Sequence, residues 1–372
     1  MRILVDYRPA LRDRTGVGEY IHQLVRAYAA TSPGDEVAVL TSSWKDRPAP
    51  TLATELGARV IDRRVPVRVL NYAWHRMAWP PVELLAGPCD VVHAAHPLLI
   101  PSRAAASVIT IHDLFFLASP ERTQAEIRRD YVPLAAAHAR RADAVITSTA
   151  YGKQQVVDRL GVDPDTVYVC SAGAPAWERL GRAPNRPADG GVLFLGTLEP
   201  RKNVGVLLDA YARLLQRRPD SPPLTLAGRA TPAAAEWLER IARPPLASHV
   251  TYLGYVPATE REELYARARV LVLPSLEEGF GLTALEAMSA GVPVVVSNRG
   301  SLPEVVGTAG TLVEPQDVEA LATAIERLLF DEAAAEAQAL AGLAQARAFT
   351  WTGAAATLGR AYADARARRQ GR

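Results

Sequence analysis

The chain has 372 residues, of which 49% are hydrophobic and 22% are charged, a composition that excludes disordered and low-complexity proteins. Because a typical domain has roughly 100–200 residues, we expect two packed domains. The net charge of +2 excludes nucleic acid as a partner of the whole surface, so any anion site is local.

The cysteines and the apolar runs indicate the cell compartment of the protein. Cys89 and Cys170 lie far apart without metal-ligand spacing, which predicts neither a disulfide framework nor a zinc site and fits a reducing cytoplasm. Charge returns at Asp6 and Arg8, before any apolar stretch has the length of a signal peptide. No apolar run approaches the roughly 20 residues that cross a bilayer, so we expect a cytoplasmic protein.

Short β-branched runs alternate with helical patterns along the first half, which predicts a parallel sheet with crossover helices in residues 1–180. The expected strands are Ile3–Val5, Glu36–Leu40, Arg59–Ile61, Val91–Ala94, Ser107–Ile111, Ala144–Thr147 and Val167–Val169. The clearest helices are Gly18–Ala30, Glu121–Ala137 and Ala150–Leu160, the last with Ser148 and Thr149 as candidate caps.

A stretch rich in Pro, Gly and Asn at residues 179–191 predicts a linker, after which the α/β pattern starts again in residues 190–350. The strands expected there are Val192–Leu195, Leu224–Ala227, Val250–Tyr252, Val270–Leu273, Val294–Val296 and Thr311–Val313. Residues 351–372 are expected to form a helix that returns to the first domain. Two parallel sheets of this kind would face a cleft, with ligands beyond the carboxyl ends of their strands.

The window Leu273–Val296 carries one charged residue after Phe280, namely Glu286, in a helix that is apolar on every side. A carboxylate buried there without a partner would be costly. We therefore expect Glu286 to be paired, either with a hydroxyl-rich ligand or with a neighbouring arginine in an internal salt bridge.

Glu278 precedes this helix and is followed by the turn Gly279–Gly281, whose glycines would let a ligand approach the backbone. Amides at a helix N-terminus attract anions. The same turn is equally typical of a tight connection between a strand and a helix.

The loop Gly196–Asn203, with the sequence GTLEPRKN, leads into a helix that Asn203 is expected to cap. Arg201 and Lys202 would then lie at the positive end of the helix dipole, where cations are unfavourable unless an anion compensates them. This arrangement predicts a phosphate site. The alternative is two solvated surface cations, one of them neutralised by Glu199.

Two features of the first domain lie where the cleft is expected. Gly16 and Gly18 form a turn without the third glycine of a dinucleotide fingerprint, so no redox cofactor is expected. The strand Ser107–Ile111 ends in His112 and Asp113, and titratable side chains there suit a functional site. A His–Asp pair that only caps the strand is the alternative.

The segment Arg63–Pro81 mixes arginines with Tyr72, Trp74 and Trp79. This composition fits an interfacial patch at an anionic lipid headgroup. Because no helical phase can be fixed from the sequence, core packing with solvated arginines is the favoured interpretation.

In their order and spacing, these motifs resemble the retaining glycosyltransferases of family 4, which share the GT-B architecture of two Rossmann-like, doubly wound α/β domains facing a cleft. Glu278 and Glu286 have seven residues between them, as in the paired-glutamate motif of that family. The matching segments are the Gly16–Gly18 turn, TIHDLFFL at Thr110–Leu117, the GTLEPRKN loop, GYV at Gly254–Val256, and EGFGLTALEAMSAGVPVV at Glu278–Val295.

The resemblance implies transfer of a sugar from a nucleotide-sugar donor to a hydroxyl acceptor, with retained configuration, no cofactor and no obligatory metal. It implies that Arg201 and Lys202 hold the diphosphate, that Glu286 binds the ribose, and that Glu278 positions the donor sugar without acting as a nucleophile. The other implied contacts are the amides of Phe280, Gly281 and Leu282 in the donor cradle, Tyr255 and Val256 at the base, His112 at the reacting face, and Gly16–Gly18 at the phosphate or acceptor.

One position departs from the family pattern, since Thr197 stands where many relatives carry an arginine after the glycine. Arg201 or Arg229 is expected to supply that cation. The motif variants look most like bacterial mannosyltransferases of surface-polysaccharide assembly, which makes GDP-mannose the first expected donor and UDP-hexoses the second. The expected acceptor is a glycan or lipid-linked glycan, with peripheral contact to the inner membrane face. A sugar-nucleotide 2-epimerase of the same architecture and a non-catalytic nucleotide-sugar-binding scaffold are the alternatives.

Overall fold

The computed structural model describes residues 1–11, 14, 16–120, 125–177, 180–181 and 183–371. It divides into two compact units, of which the first comprises Met1–Gly173 with Thr350–Arg372 and the second Ala174–Phe349. No helix among these residues is long and apolar enough to span a bilayer.

The second unit begins earlier than the expected 190, because the residues before its first strand are bonded to it. The amide of Ala174 donates to the carbonyl of Phe349 at 2.9 Å. The side-chain amide of Asn185 donates to the carbonyl of Tyr265 at 2.8 Å. Most of the expected linker therefore belongs to the second unit, while Arg179 and Arg182 lie outside the described residues.

The first unit is a parallel seven-stranded sheet with the order β3-β2-β1-β4-β5-β6-β7. Its strands are β1 (Arg2–Asp6), β2 (Glu36–Thr41), β3 (Arg59–Asp62), β4 (Val91–Ala94), β5 (Ala106–Thr110), β6 (Ala144–Thr147) and β7 (Val167–Val169). Its helices are α1 (Val17–Thr31), α2 (Leu52–Leu56), α3 (Val67–Tyr72), α4 (Glu83–Ala86), α5 (Phe115–Ala118), α6 (Ala125–Arg141) and α7 (Ala150–Leu160). A π-helical turn at Ala73–Met77 follows α3.

The second unit is a parallel six-stranded sheet with the order β10-β9-β8-β11-β12-β13. Its strands are β8 (Gly191–Leu195), β9 (Leu224–Ala227), β10 (Val250–Gly254), β11 (Ala268–Leu273), β12 (Val294–Ser297) and β13 (Thr311–Val313). Its helices are α8 (Val204–Arg217), α9 (Ala235–Ile241), α10 (Arg261–Ala266), α11 (Leu282–Ser289), α12 (Leu302–Val306), α13 (Val318–Phe330) and α14 (Glu332–Ala346).

Each expected strand is present, with its ends within two residues of the prediction. The central strands β5, β8, β11 and β12 are buried along nearly their whole length, because parallel strands with helices on both faces read as continuous apolar runs. Thr149 caps α7 as expected, since its hydroxyl accepts from the amide of Gly152 at 3.0 Å. The expected start of α6 at Glu121 lies outside the described residues.

The C-terminal helix α15 (Trp351–Gln370) belongs to the first unit. The hydroxyl of Tyr362 lies 2.8 Å from Nδ1 of His93 on β4. The guanidinium of Arg368 donates to the carbonyl of Asp143 at 3.0 Å. The chain therefore leaves the first unit after β7 and returns to it for its last helix.

Candidate functional site

Two loops that follow adjacent strands of the second sheet lie side by side. The loop after β8 carries Arg201 and Lys202, and the loop after β11 carries Glu278. The amide of Leu276 donates to the carbonyl of Arg201 at 2.8 Å, which ties the two loops together. Because both strands are parallel, the functional side chains gather at one edge of the sheet.

Two residues of the loop after β12 contact the backbone of Glu278. Gly300 has a φ of 62°, and a Cβ at this position would lie 2.7 Å from both the amide nitrogen and the carbonyl oxygen of Glu278. The hydroxyl of Ser301 donates to the same carbonyl at 2.9 Å. Glycine is therefore needed at 300 both for its conformation and for this close approach.

The carboxylate of Glu278 is the centre of an ion cluster. Its Oε1 accepts from the ammonium of Lys202 and, at 2.7 Å, from the hydroxyl of Ser275. Its Oε2 accepts from Nη1 of Arg201 at 3.2 Å. Only 7% of the Glu278 side chain and 11% of the Lys202 side chain are exposed, so the cluster is largely removed from water.

The protonation states of this cluster follow from burial and pairing. Burial alone would raise the pKa of Glu278, but the charges of Lys202 and Arg201 and the hydrogen bonds hold it at about 2. Burial lowers the pKa of Lys202, and the Glu278 carboxylate opposes that shift. The Glu278 carboxylate is therefore ionised at neutral pH and lies between the side chains of Lys202 and Arg201.

Arg201 makes two further contacts within these loops. Its Nη2 donates to Glu199 at 2.8 Å, and its Nη1 donates to the carbonyl of Glu277 at 3.0 Å. The alternative of two solvated surface cations is therefore wrong for both residues, although the expected neutralisation by Glu199 is present.

Asn203 does not cap α8 with its side chain, in contrast to the expectation. It adopts a φ of 58°, in the left-handed region. Its side-chain amide instead donates to the carbonyls of Pro274 and Pro315, at 3.0 and 2.6 Å. Asn203 thus joins the loop after β8 to the loops after β11 and β13 instead of capping the start of α8 with its side chain.

Glu286 on α11 is held by two side chains of α10. Its Oε1 accepts from Nη1 of Arg261 at 3.0 Å, and its Oε2 accepts from the hydroxyl of Tyr265 at 2.7 Å. Burial, together with the charge of Glu286, raises the pKa of Tyr265 well above its usual value. The internal salt bridge is thus the pairing present in this structure, so the burial of Glu286 does not require a ligand.

The sequence did not single out Arg261, Tyr265 or Ser275. Arg261 and Tyr265 are four residues apart on α10 and therefore share one face of it, which is the only local signal they carry. Ser275 comes two residues after β11, next to an expected site loop.

The turn before α11 brings together the expected cradle residues. Gly281 has a φ of 96°, and a Cβ there would lie 2.6 Å from Cδ2 of Leu302. The ring of Phe280 is buried and packs edge-on against Phe349, with centroids 5.8 Å apart. Leu282 is the first residue of α11, and the N-cap position before it is Gly281, which has no side chain that could cap the helix.

Arg229 and Tyr255 follow the adjacent strands β9 and β10. The guanidinium carbon of Arg229 lies 4.7 Å from the ring centroid of Tyr255, which is 39% exposed. Val256 comes next and is half-buried. Of the two cations considered as substitutes at Thr197, the side chain of Arg201 contacts Glu278, whereas that of Arg229 faces Tyr255.

The remaining expected residues belong to the first unit. His112 follows β5, and its ring packs edge-on against Tyr20 with centroids 5.4 Å apart. Burial lowers the pKa of His112 to about 4 despite the nearby charge of Asp113. Its Nε2 is buried and has no hydrogen-bond partner among the described residues. The ring is therefore neutral at pH 7.

The glycine turn precedes α1, with Gly16 at a φ of 40° and Gly18 buried in the first turn of the helix. Thr15, the residue before this turn, lies outside the described residues. Asp113 accepts from the amide of Phe115 at 3.1 Å, so part of the alternative capping interpretation holds for this residue.

Two parallel α/β sheets, of seven strands in the first unit and six in the second, form the GT-B fold. The fold is shared by sucrose-phosphate synthase from Thermosynechococcus elongatus, with a TM-score of 0.76 and 23% identity over 97% of this chain and 98% of that chain.

The family follows from sequence comparison. Residues 14–176 match the description Glycosyltransferase Family 4, and residues 189–331 match Glycosyl transferases group 1. The chain belongs to glycosyltransferase family 4 and is a glycosyltransferase. It is 30% identical to O-antigen chain mannosyltransferase B of Escherichia coli, over 94% of this chain and 96% of the relative. It is 31% identical to glycogen synthase of Mycobacterium tuberculosis (strain CDC 1551 / Oshkosh), over 98% of this chain and 95% of that relative.

Proposed function

We propose that this protein is a retaining hexosyltransferase that moves a sugar from a nucleotide-sugar donor to a hydroxyl of a glycan or lipid-linked glycan in the cytoplasm. The observation that carries this proposal is the buried cluster of Glu278, Lys202 and Arg201, in a chain of this family. GDP-mannose is the proposed donor, supported by the likeness to the mannosyltransferase relative. UDP-hexoses are the second candidates.

In this proposal the diphosphate of the donor takes the place of the Glu278 carboxylate at Lys202 and Arg201. Two cations beside the N-terminus of α11 would stabilise the negative charge that develops on the departing diphosphate. This arrangement supplies the electrostatic stabilisation that a divalent ion gives elsewhere, so we propose a metal-independent reaction without a cofactor.

Release from the cations leaves the Glu278 carboxylate available to accept hydrogen bonds from the donor sugar. In the proposed front-face reaction, the bond from the anomeric carbon to phosphate oxygen breaks while the acceptor oxygen bonds to the same face of that carbon. The acceptor proton passes to the leaving phosphate. Because the ring of His112 is neutral, its unpartnered Nε2 would form a hydrogen bond with a sugar hydroxyl without placing a positive charge there.

The other site residues are proposed to hold the nucleotide. Glu286, which accepts from Arg261 at 3.0 Å, would also accept from the ribose hydroxyls. The remaining proposed contacts are the amides of Phe280, Gly281 and Leu282 with the diphosphate, Tyr255 and Val256 with the base, and the Gly16–Gly18 turn with the phosphate or acceptor. Arg229 is the second candidate, after Arg201, for the cation that Thr197 does not supply.

The test is a transfer assay with GDP-mannose, UDP-glucose and ADP-glucose, each in excess chelator, using a mannose-terminated oligosaccharide as acceptor. We expect transfer from one donor class, and a product with the anomeric configuration of the donor by proton NMR. An inverted product, or activity restored only by a divalent ion, would contradict the proposed mechanism. Interconversion of the donor sugar without an acceptor would instead indicate an epimerase.

A further inference from the structure

One surface of the first unit is formed by residues 63–84, where the structure fixes the helical phase that the sequence left open. Leu70 and Trp74 lie one helical turn apart, and each is 2% exposed. The indole of Trp74 donates to the carbonyl of Pro80 at 3.0 Å. This side of α3 and its π-helical extension therefore packs into the core, and the opposite side faces solvent.

Exposed large apolar side chains of α3, of the π-helical turn and of the segment through α4 form what we call the apolar ridge. Each member is more than half exposed: Val69 59%, Tyr72 62%, Met77 63%, Trp79 59% and Leu84 55%. Val69 and Tyr72 are three residues apart on α3 and therefore share a face. Single exposed apolar residues are ordinary, but several exposed in one short stretch of chain are typical of an interaction surface. Trp74 is thus a core residue and Trp79 a surface residue. This corrects the interpretation of the whole segment as core packing.

Most of the charged residues beside the apolar ridge are basic. Arg63, Arg64, Arg68 and Arg76 are exposed, and residues 63–82 contain neither Asp nor Glu. The adjoining helix α6 adds the exposed Arg128 and Arg129. Acidic side chains also contact this region. Asp130 is buried and accepts from Arg129 at 2.6 Å, Asp62 accepts from the amide of Arg64 at 3.4 Å, and Glu83 accepts from the hydroxyl of Ser102 at 2.8 Å. The surface therefore combines aromatic and aliphatic side chains with positive charge.

We propose that the apolar ridge docks on a bilayer that contains anionic phospholipid. Tyr72, Met77 and Trp79 would enter the headgroup region, where amphipathic aromatic rings are favoured, and the arginines would bind lipid phosphates. A second copy on the same surface would bring arginines opposite arginines, because a two-fold interface pairs a surface with itself. This docking does not depend on the proposed transfer reaction.

The test is cosedimentation of the full chain with vesicles of phosphatidylcholine, alone or with about 30% phosphatidylglycerol. We expect binding to the anionic vesicles that weakens as salt is added, and little binding to the neutral ones. The double variant Met77→Ser with Trp79→Ser should bind at least about tenfold less. Arg64→Gln with Arg68→Gln should lose about as much. Leu340→Ser, at a 53% exposed position of α14 in the second unit, should bind as the unaltered protein does.

Failure of the unaltered chain to bind anionic vesicles, or equal binding by the ridge variants, would overturn the proposal. A dimer in equilibrium sedimentation that the ridge variants abolish would also overturn it, in favour of a second copy as the occupant. Thermal stabilisation of every variant by a nucleoside diphosphate serves as the check on folding. If a nucleoside diphosphate stabilises neither the unaltered chain nor any variant, that result would count against the proposed donor site alone. The vesicle result would remain valid.

Discussion

The ammonium of Lys202 donates to the carboxylate of Glu278, which lies 76 residues further along the chain. The pair exists because β8 and β11 are neighbours in the sheet, so the loops after them meet. Both side chains are largely buried, and a buried charge is costly without a partner. We infer that the pair holds the proposed phosphate site in a charged state until a diphosphate binds.

Replacement of Lys202 tests the phosphate assignment. Lys202→Ala should weaken binding of the nucleotide sugar and of the free nucleoside diphosphate by similar factors of about 10–100, because both carry the same phosphates. Titration calorimetry measures both. Lys45→Ala, at an exposed position of the first unit, is the control and should change neither. Unchanged diphosphate binding by Lys202→Ala would show that the phosphates lie elsewhere.

Glu278→Gln separates two proposed roles of this carboxylate, its competition with phosphate for the cations and its contact with the donor sugar. The carboxylate competes with phosphate for Lys202 and Arg201, so its neutralisation should tighten binding of the free nucleoside diphosphate by about three- to tenfold. Sugar transfer should nevertheless fall by at least about 100-fold, because the acceptor of the sugar hydroxyls is weakened. Glu199→Gln, which alters the more exposed partner of Arg201, should change both quantities less. Parallel losses of binding and transfer would contradict the competition and indicate structural damage.

The hydroxyl of Tyr265 is expected to hold Glu286 in place. Tyr265→Phe removes a buried donor from a carboxylate and should lower the free energy of unfolding by about 1–3 kcal/mol. Tyr255→Phe, at an exposed ring, should change it by less than about 0.5 kcal/mol. Urea denaturation measures both values. Equal stabilities of the two variants would mean that the Tyr265 hydroxyl bond to Glu286 adds no stability.

Buried histidines predict the pH dependence of stability. Burial lowers the pKa of His75 to about 4, from an ordinary value of about 6.5. Between these two values the unfolded chain takes up a proton that the native state does not, so stability falls as the pH falls through this range. His75→Phe should remove about 1–2 kcal/mol of the loss between pH 7 and pH 5. Denaturation curves with the same pH slope for both proteins would contradict this.

The positions of the strands could be predicted from the sequence better than the side-chain contacts between the loops that follow them. Buried parallel strands read as short β-branched runs, so the pattern located each of them. The pairing of Lys202 with Glu278 depends on which strands are neighbours, and no local signal carries that information. The left-handed conformation of Asn203 was missed for the same reason, because its two carbonyl partners come from distant loops.

The phase of α3 was also beyond sequence reasoning. Its pattern runs into a π-helical turn, which changes the spacing after Tyr72 and obscures which aromatic residues are buried. The structure buries Trp74 beneath the guanidinium of Arg8, at 4.7 Å, and leaves Trp79 exposed.

In the proposed site, Lys202 and Arg201 hold the donor diphosphate without a metal ion. The most direct test of this assignment is calorimetric titration of the protein with GDP, UDP and ADP in excess chelator, since a ligand that binds the native state also raises its apparent stability. We expect one diphosphate to bind under these conditions and Lys202→Ala to lose most of this affinity. Binding that requires a divalent ion, or that survives in Lys202→Ala, would contradict the assignment.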